Sequence, residues 1–503
     1  MDIMSLQNGS DIRGVAMEGI AGQQVNLTPE IVKDLASAFV VFLRDRTQGK
    51  DLRISVGMDS RLSGGSLAEA AKYGILDMGA DCLMFGLCTT PAMFMSTVDR
   101  ETRCNGAIML TASHLPWNRN GMKFFTPEGG LEKEDITALL TLAQKLPSSS
   151  PEPGRISEMD FLSVYAGMIR DRICSGAQAE DYSHPLKGFH IVVDAGNGAG
   201  GFFADRVLSP LGANVAGSRF LDPDGRFPNH IPNPEDASAM HSVTESVLQN
   251  QADLGIIFDT DVDRAGAVMH DGTELNRNRL IALLSAVVLE EHPGTTIVTD
   301  SITSTALGDF IREKGGAHHR FKRGYRNVIN ESKRLNSLGI DSQLAIETSG
   351  HGALKENYFL DDGAYLITKI LIRMAKARKD GSDLSSLLTG FHEPAEAAEI
   401  RMKLPQDDFK AYGNSILESL NTYAAEHGWR KEEPNYEGIR INFPPQDGDG
   451  WFLLRLSLHD PILPLNIESN SPGGVRRIAE QILPFLERFD HLDRTDLEKL
   501  IRT

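Results

Sequence analysis

Residues 259–264 read Asp-Thr-Asp-Val-Asp-Arg, three carboxylates at alternate positions directly after the apolar run of Leu254 to Phe258. In an extended segment alternate side chains point the same way, and converging carboxylate oxygens suit a hard divalent cation, Mg²⁺ ahead of Ca²⁺ where a phosphate completes the shell. A calcium loop of the EF-hand kind asks for Gly at its sixth position and Glu at its twelfth. Arg264 and His270 stand there, so that reading is excluded. The competing reading is a solvated acidic turn, disfavoured by the apolar strand that leads into the acids and the Arg that ends them.

A second apolar run, Ile108-Met109-Leu110, breaks into Thr-Ala-Ser-His-Leu-Pro. Ser113 is not the serine of a hydrolase elbow, because Thr111 and Leu115 occupy the glycine positions. On its own the Ser-His pair reads equally as a turn. A serine nucleophile also serves phosphoryl transfer, where a metal carries much of the charge, and a phosphate ester on Ser113 would offer an oxygen to an ion in the acidic loop. Lys123 is near enough in sequence to return as charge partner or proton donor. A third loop, Glu347-Thr348-Ser349-Gly350-His351, holds an acceptor, hydroxyls and an imidazole. Glu347 and Ser349 there suit adjacent sugar hydroxyls, although a lone loop Glu is usually solvated.

Three repeated units position these loops. "LRISVGMDS", "FHIVVDAGNG" and "TTIVTDSIT" each end an apolar strand at an Asp (Asp59, Asp194, Asp300), and a helix-like stretch follows each. A second strand in each unit leads into a chemical loop: Ser113 lies 54 residues after Asp59, Asp259 lies 65 after Asp194, and Glu347 lies 47 after Asp300. Apolar strands alternating with helices predict parallel α/β layers, and ligands of such sheets bind beyond the strands' carboxyl ends. The expectation is three similar mixed α/β domains whose loops face one central cleft, followed by a C-terminal α+β domain with an antiparallel sheet. The boundaries fall at 1–155, 156–273, 274–391 and 392–503. The Pro/Ser/Gly-rich "LPSSSPEPGR" marks the first of them. In the tail, a polar helix near 407–427, three strand-like runs and a helix near 473–488 are expected.

At 503 residues the chain has room for three or four domains. Its net charge of −18, from 51 basic and 69 acidic residues, argues against nucleic acid or an anionic membrane as the main partner. The four cysteines form no CxxC pair, so reduced thiols are expected rather than a zinc site or a disulfide framework. The longest apolar run, "LIALLSAVVL", has ten residues against the ~20 of a membrane span and reads as a buried helix. No signal peptide is visible, and a cytoplasmic location is expected.

Taken together the loops resemble those of the α-D-phosphohexomutase family, phosphomannomutase/phosphoglucomutase type. "TASHLP" is similar to its phosphoserine loop, "DTDVDR" to its metal loop and "IETSGH" to its sugar loop. "SDIRG" with Arg13, "GMDSRLSG" with Arg61, "NGMKF" with Lys123, "VVDAGNGAG", "PDGRFPNHIPNPE" and "KRGYRNVI" with Lys322 follow in family order. The resemblance implies conversion between hexose 1-phosphate and hexose 6-phosphate, glucose or mannose, through a phosphoserine and a bisphosphorylated sugar that also serves as activator. It implies Mg²⁺ held by Ser113, Asp259, Asp261 and Asp263. It implies a catalytic set of Ser113, Lys123, His351 and Arg13, and substrate contacts at Arg264, Lys322, Glu347, Ser349, Arg455, Ser457 and His459. Several positions depart from the family pattern: Leu115 replaces Asn, Ile346 replaces Gly, and Thr260 and Val262 replace small residues. In the phosphate loop Leu458-His459 stands for Gly-Thr, and Pro464 for the later Arg. Two alternatives stand beside this reading. One is a phosphoglucosamine mutase, on which Thr348 is neutral. The other is a non-catalytic sugar-phosphate-binding paralogue, which loss of Ser113 or a metal acid would have favoured.

Overall fold

All three expected strand pairs form, and all three are parallel. Ile54–Met58 runs beside Gly106–Leu110, Ile191–Asp194 beside Leu254–Ile257, and Ile297–Thr299 beside Leu344–Ile346. Parallel neighbours need a helical crossover, which covers a sheet face and makes the strands apolar on both sides; Gly106–Leu110 and Leu254–Phe258 are accordingly buried at every residue. The computed structural model describes residues 2–49, 51–150, 152–404, 408–457 and 460–502. Two compact units emerge, Met1–Val287 with Ser349–Leu387, and Val288–Thr348 with Leu388–Thr503. The fold is three mixed α/β domains followed by a C-terminal all-antiparallel sheet domain.

In the first unit an eight-stranded sheet has Gly106–Leu110 and Arg53–Met58 at its centre. Arg119–Thr126 joins antiparallel to Gly106–Leu110, and Asp11–Val15 joins antiparallel to Arg119–Thr126. Ile156–Glu158 adds a parallel edge strand beside Asp81–Leu87, so this sheet takes in residues just past 155. Helices Pro29–Thr47 and Gly64–Asp77 bury Leu35, Phe39 and Leu67 against it. The second sheet of this unit has four strands, with Ile191–Asp194 at one edge and Leu254–Phe258 next to it. After Asp194 the chain forms one wide helical turn, Phe203–Leu208, rather than a regular helix. The run "LIALLSAVVL" lies in helix Arg277–Glu291 with each apolar side chain buried. Among the described residues no helix is long and apolar enough to cross a membrane.

The second unit sets Thr296–Thr299 between Ala317–Arg320 and Leu344–Ile346. Its antiparallel sheet runs in the order Glu396–Lys403, Ile462–Ser469, Gly450–Leu454, Ile439–Phe443, Arg430–Lys431. Helices Phe409–Glu426 and Gly474–Leu486 cover one face through Ile416, Leu420, Ile478 and Phe485. The strand Glu396–Lys403 and a last helix, Thr495–Arg502, were not foreseen from sequence. Buried Arg440 packs over Trp451 at 3.4 Å and donates to the carbonyls of Ser301 (3.1 Å) and Thr303 (3.3 Å), which ties this sheet to the loop after Thr299. The four cysteines are free and buried, and burial pushes the thiols of Cys82 and Cys88 up to about 12.

Candidate active site

The strand Gly106–Leu110 ends at a backbone that turns left-handed at Ser113, φ 48°. A residue with a Cβ pays for that conformation, and it persists only where its surroundings hold it. Arg61 does the holding. Its buried guanidinium donates to the carbonyls of Ser113, Leu115 (2.6 Å), Pro116 (2.8 Å) and Arg119 (2.9 Å), with Asp59 as counter-ion at 3.4 Å. Thr111 Oγ1 accepts from the Ser113 N–H at 2.9 Å. Ser113 Oγ is thereby placed to donate to Asp259 Oδ2 at 2.7 Å, and lies 3.3 Å from His114 Nδ1. Burial, reinforced by Arg264 and Arg13, pushes His114 down to about 3, so its ring is neutral.

Asp259, Asp261 and Asp263 follow strand Leu254–Phe258 and are wholly buried. The loop passes through Val262 at φ 66°, an outlier for a β-branched residue. Its carbonyl accepts from the Gly363 N–H at 3.1 Å. A Cβ at Gly363 would stand 2.6 Å from the Arg264 carbonyl carbon, so only glycine permits this approach. The three acids offer oxygens within 4.8 Å of one another. Thr90 donates its hydroxyl to Asp261 Oδ2 and its N–H to the Asp261 carbonyl at 2.9 Å. Asp261 Oδ1 and both Asp263 oxygens accept no hydrogen bond among the described residues.

Cations surround this cluster. Lys123 Nζ lies 3.3 Å from Asp263 and 3.2 Å from Asp11, which also takes Arg13 at 2.9 Å. Arg13 donates further to the Thr111 carbonyl at 2.6 Å. Arg264 Nε donates to His351 Nε2 at 2.8 Å, and Asp361 faces His351 Nδ1 at 2.6 Å. Burial and mutual repulsion raise the pKa values of Asp259 and Asp261. Burial works the same way on Asp263, but Lys123, His351 and Arg264 outweigh it and hold that carboxyl low. Buried carboxylate oxygens without donors call for a cation. Their hardness, and the serine oxygen beside them, fit Mg²⁺.

The first unit therefore brings together Ser113, Lys123, Arg13, Asp259, Asp261, Asp263, Arg264 and His351, with Ser349 buried two residues before His351. Other expected residues belong to the second unit. Glu347 accepts from the Gly324 N–H at 2.5 Å, and Thr348 Oγ1 donates to Asp300 at 2.7 Å. Burial, with Glu347 nearby, pushes Asp300 up to about 7. Lys322 is exposed beside Phe321. Arg455 is buried, and burial lowers its pKa against the pull of Glu437. Ser457 Oγ accepts from the Asp460 N–H at 3.2 Å. His459 lies outside the described residues.

Sequence reasoning missed four residues of this arrangement or their part in it. Asp11 was legible, two positions from Arg13 on one strand and so on the same face. Arg61 was noted in a motif, without its clamp on the Ser113 loop. Thr90 contacts Asp261 across 171 residues, which no local signal announces. Asp361 stands beside Asp362, which caps helix Gly363–Asp380, and nothing local in the sequence marks its contact with His351.

The chain is similar to known proteins over most of its length. Family models for phosphoglucomutase/phosphomannomutase α/β/α domains I, II and III match residues 4–147, 173–272 and 276–391. A phosphoglucomutase of Neisseria gonorrhoeae is 30% identical over 443 residues, covering 88% of this chain and 90% of that protein. A phosphomannomutase/phosphoglucomutase of Pseudomonas aeruginosa is 30% identical over 427 residues, 84% of this chain and 85% of that one. The crystal structure of a phosphoglucomutase/phosphomannomutase family protein from Burkholderia thailandensis, 27% identical, superimposes with a TM-score of 0.78 over 96% of this chain and 97% of that one.

Proposed function

Given that this chain belongs to the phosphoglucomutase/phosphomannomutase family of enzymes, we propose that it interconverts hexose 1-phosphate and hexose 6-phosphate, of glucose or mannose, by way of a phosphoserine at Ser113. The observation that carries the proposal is Ser113 Oγ at 2.7 Å from the first of three buried carboxylates. A Mg²⁺ ion held by Asp259, Asp261, Asp263 and the Ser113 oxygen would offset the charge on the transferring phosphoryl group. The four-domain division at 155, 273 and 391 belongs to the same reading.

In the forward half-reaction a sugar hydroxyl attacks phosphorus, the bond to Ser113 Oγ breaks, and the hydroxyl proton leaves to a base. The bisphosphorylated sugar then turns end for end, and Ser113 Oγ takes the other phosphoryl group back. Arg61 keeps the serine loop in its left-handed turn throughout. Lys123, between Asp11 and Asp263, is the candidate for moving the proton and for balancing the three acids. Arg13 and Arg264 bring positive charge to the phosphoryl oxygens. Glu347 and Ser349 are assigned to sugar hydroxyls. Lys322, Arg455, Ser457 and His459 are assigned to the phosphate that does not react.

Intact-mass measurement should show one phosphoryl group, lost in Ser113→Ala. That variant should lose at least about 10³-fold in turnover while still binding sugar phosphate. Turnover within about tenfold of the wild type would refute the phosphoserine. A coupled assay across glucose, mannose and glucosamine phosphates identifies the preferred sugar.

A further inference from the structure

Residues 352–361 form a hairpin in the first unit, strand Gly352–Leu354 against Leu360–Asp361, and the second strand ends in the first of two successive acids, Asp361 and Asp362. Asp362 has a structural task. It caps helix Gly363–Asp380 and accepts the Tyr165 hydroxyl at 2.6 Å. Asp361 points its chemistry elsewhere. Its Oδ1 accepts from the Gly352 N–H at 3.0 Å, and its Oδ2 meets His351 Nδ1 at 2.6 Å. The other ring nitrogen, Nε2, lies 2.8 Å from Arg264 Nε.

An arginine Nε–H is always a donor. The contact at Nε2 therefore needs that nitrogen's lone pair, and the single ring proton must sit on Nδ1, facing Asp361. Asp263 Oδ1 faces the same Nδ1 from further off, at 3.8 Å. A second proton would set two N–H groups against each other at Nε2. With both nitrogens occupied, His351 has none to spare for a proton relay to substrate. What it does is aim Arg264, whose backbone N–H is already tied to Asp259 at 3.2 Å and whose guanidinium reaches Glu235 at 3.6 Å.

Resting on the mutase reading above, we propose that Asp361 is a positioning residue: by keeping the His351 proton on Nδ1 it preserves Nε2 as the acceptor that orients the Arg264 guanidinium beside the acidic loop. In Asp361→Asn the amide oxygen stays with the Gly352 N–H and the amide N–H₂ faces Nδ1. That demands the Nδ1 lone pair, moves the ring proton to Nε2 and turns it against Arg264.

The test uses the full chain with Mg²⁺ and ¹⁵N-labelled histidine, the His351 signals being assigned by their loss in His351→Gln. Wild type should show a protonated Nδ1 and an unprotonated Nε2, and Asp361→Asn the reverse. A wild-type ring protonated at Nε2, alone or together with Nδ1, overturns the proposal without recourse to any variant's stability. In turnover, Asp361→Asn should cost about 10²-fold, the loss expected of a misaligned group. The loss should shrink to within about threefold in an Arg264→Ala background, since the two residues then act through one contact. A full additional loss in that background also overturns the proposal. Absence of mutase turnover in wild type would sink the functional reading instead, and the tautomer measurement stands apart from it.

Discussion

Replacing Arg61 by lysine probes how the serine loop is held. The side chain is fully enclosed together with Asp59 and serves four carbonyls spread over residues 113–119. An ammonium group has three donors on one atom. If one goes to Asp59, at least two of the four carbonyls lose this donor, although Pro116 keeps the Arg119 N–H at 2.9 Å. A buried acceptor left alone costs about 1–3 kcal/mol, so with one or two stranded the variant carries a penalty of roughly 1–6 kcal/mol concentrated in one loop. At the lower-middle value of ~3 kcal/mol, and 1.36 kcal/mol per tenfold, the arrangement with Ser113 Oγ against Asp259 becomes about 10²-fold rarer. kcat/KM should fall by the same factor, read in a coupled assay of sugar-phosphate conversion. Because the charge opposite Asp59 is kept, far-UV circular dichroism should be unchanged, and faster hydrogen exchange should be confined to residues 113–119. Arg61→Met differs, since it strands a buried carboxylate at a cost of about 3–5 kcal/mol and should lower the melting temperature of the whole protein. An Arg61→Lys enzyme within about threefold of wild-type kcat/KM would refute the clamp.

Asp261→Asn should weaken Mg²⁺ binding at least about tenfold in calorimetric titration, because an amide brings no charge to the ion; an unaltered isotherm would show that the loop is an acidic turn and nothing more. His230 supplies a pH test away from the reaction. Burial pulls its pKa down, but the Asp194 carboxylate 2.9 Å from Nε2 prevails and holds it above the usual value. A raised histidine pKa contributes stability that is full below about 6.5, its unfolded value, and is lost as pH rises through the folded value. Thermal unfolding of His230→Gln minus wild type should therefore narrow across that window, and a constant difference would mean that the pair does not couple to folding.

The strand pairs were legible because burial on both faces leaves a local signature, an apolar run that stops at an Asp. The acidic loop and Ser113 were legible as chemistry because their residue types are costly where they stand, three acids and a serine straight after buried strands. The strand Glu396–Lys403 escaped notice because only alternate residues of it are buried toward its end. The partnership of Ser113 with Asp259 across 146 residues, and of Thr90 with Asp261 across 171, depends on how one sheet packs beside another. The same holds for Arg61, which from sequence was one cation among 51 and in the fold became the donor to four carbonyls. His351 shows the division most sharply. Its residue type alone offered a proton carrier, and only the fold supplied the neighbours, Arg264 on one nitrogen and Asp361 on the other, on which its proposed orienting part rests. Hydrogen bonds reach about 3 Å and are blind to sequence separation, so composition and periodicity carry the elements and their chemistry, while the roles of individual side chains are settled only when the chain has folded.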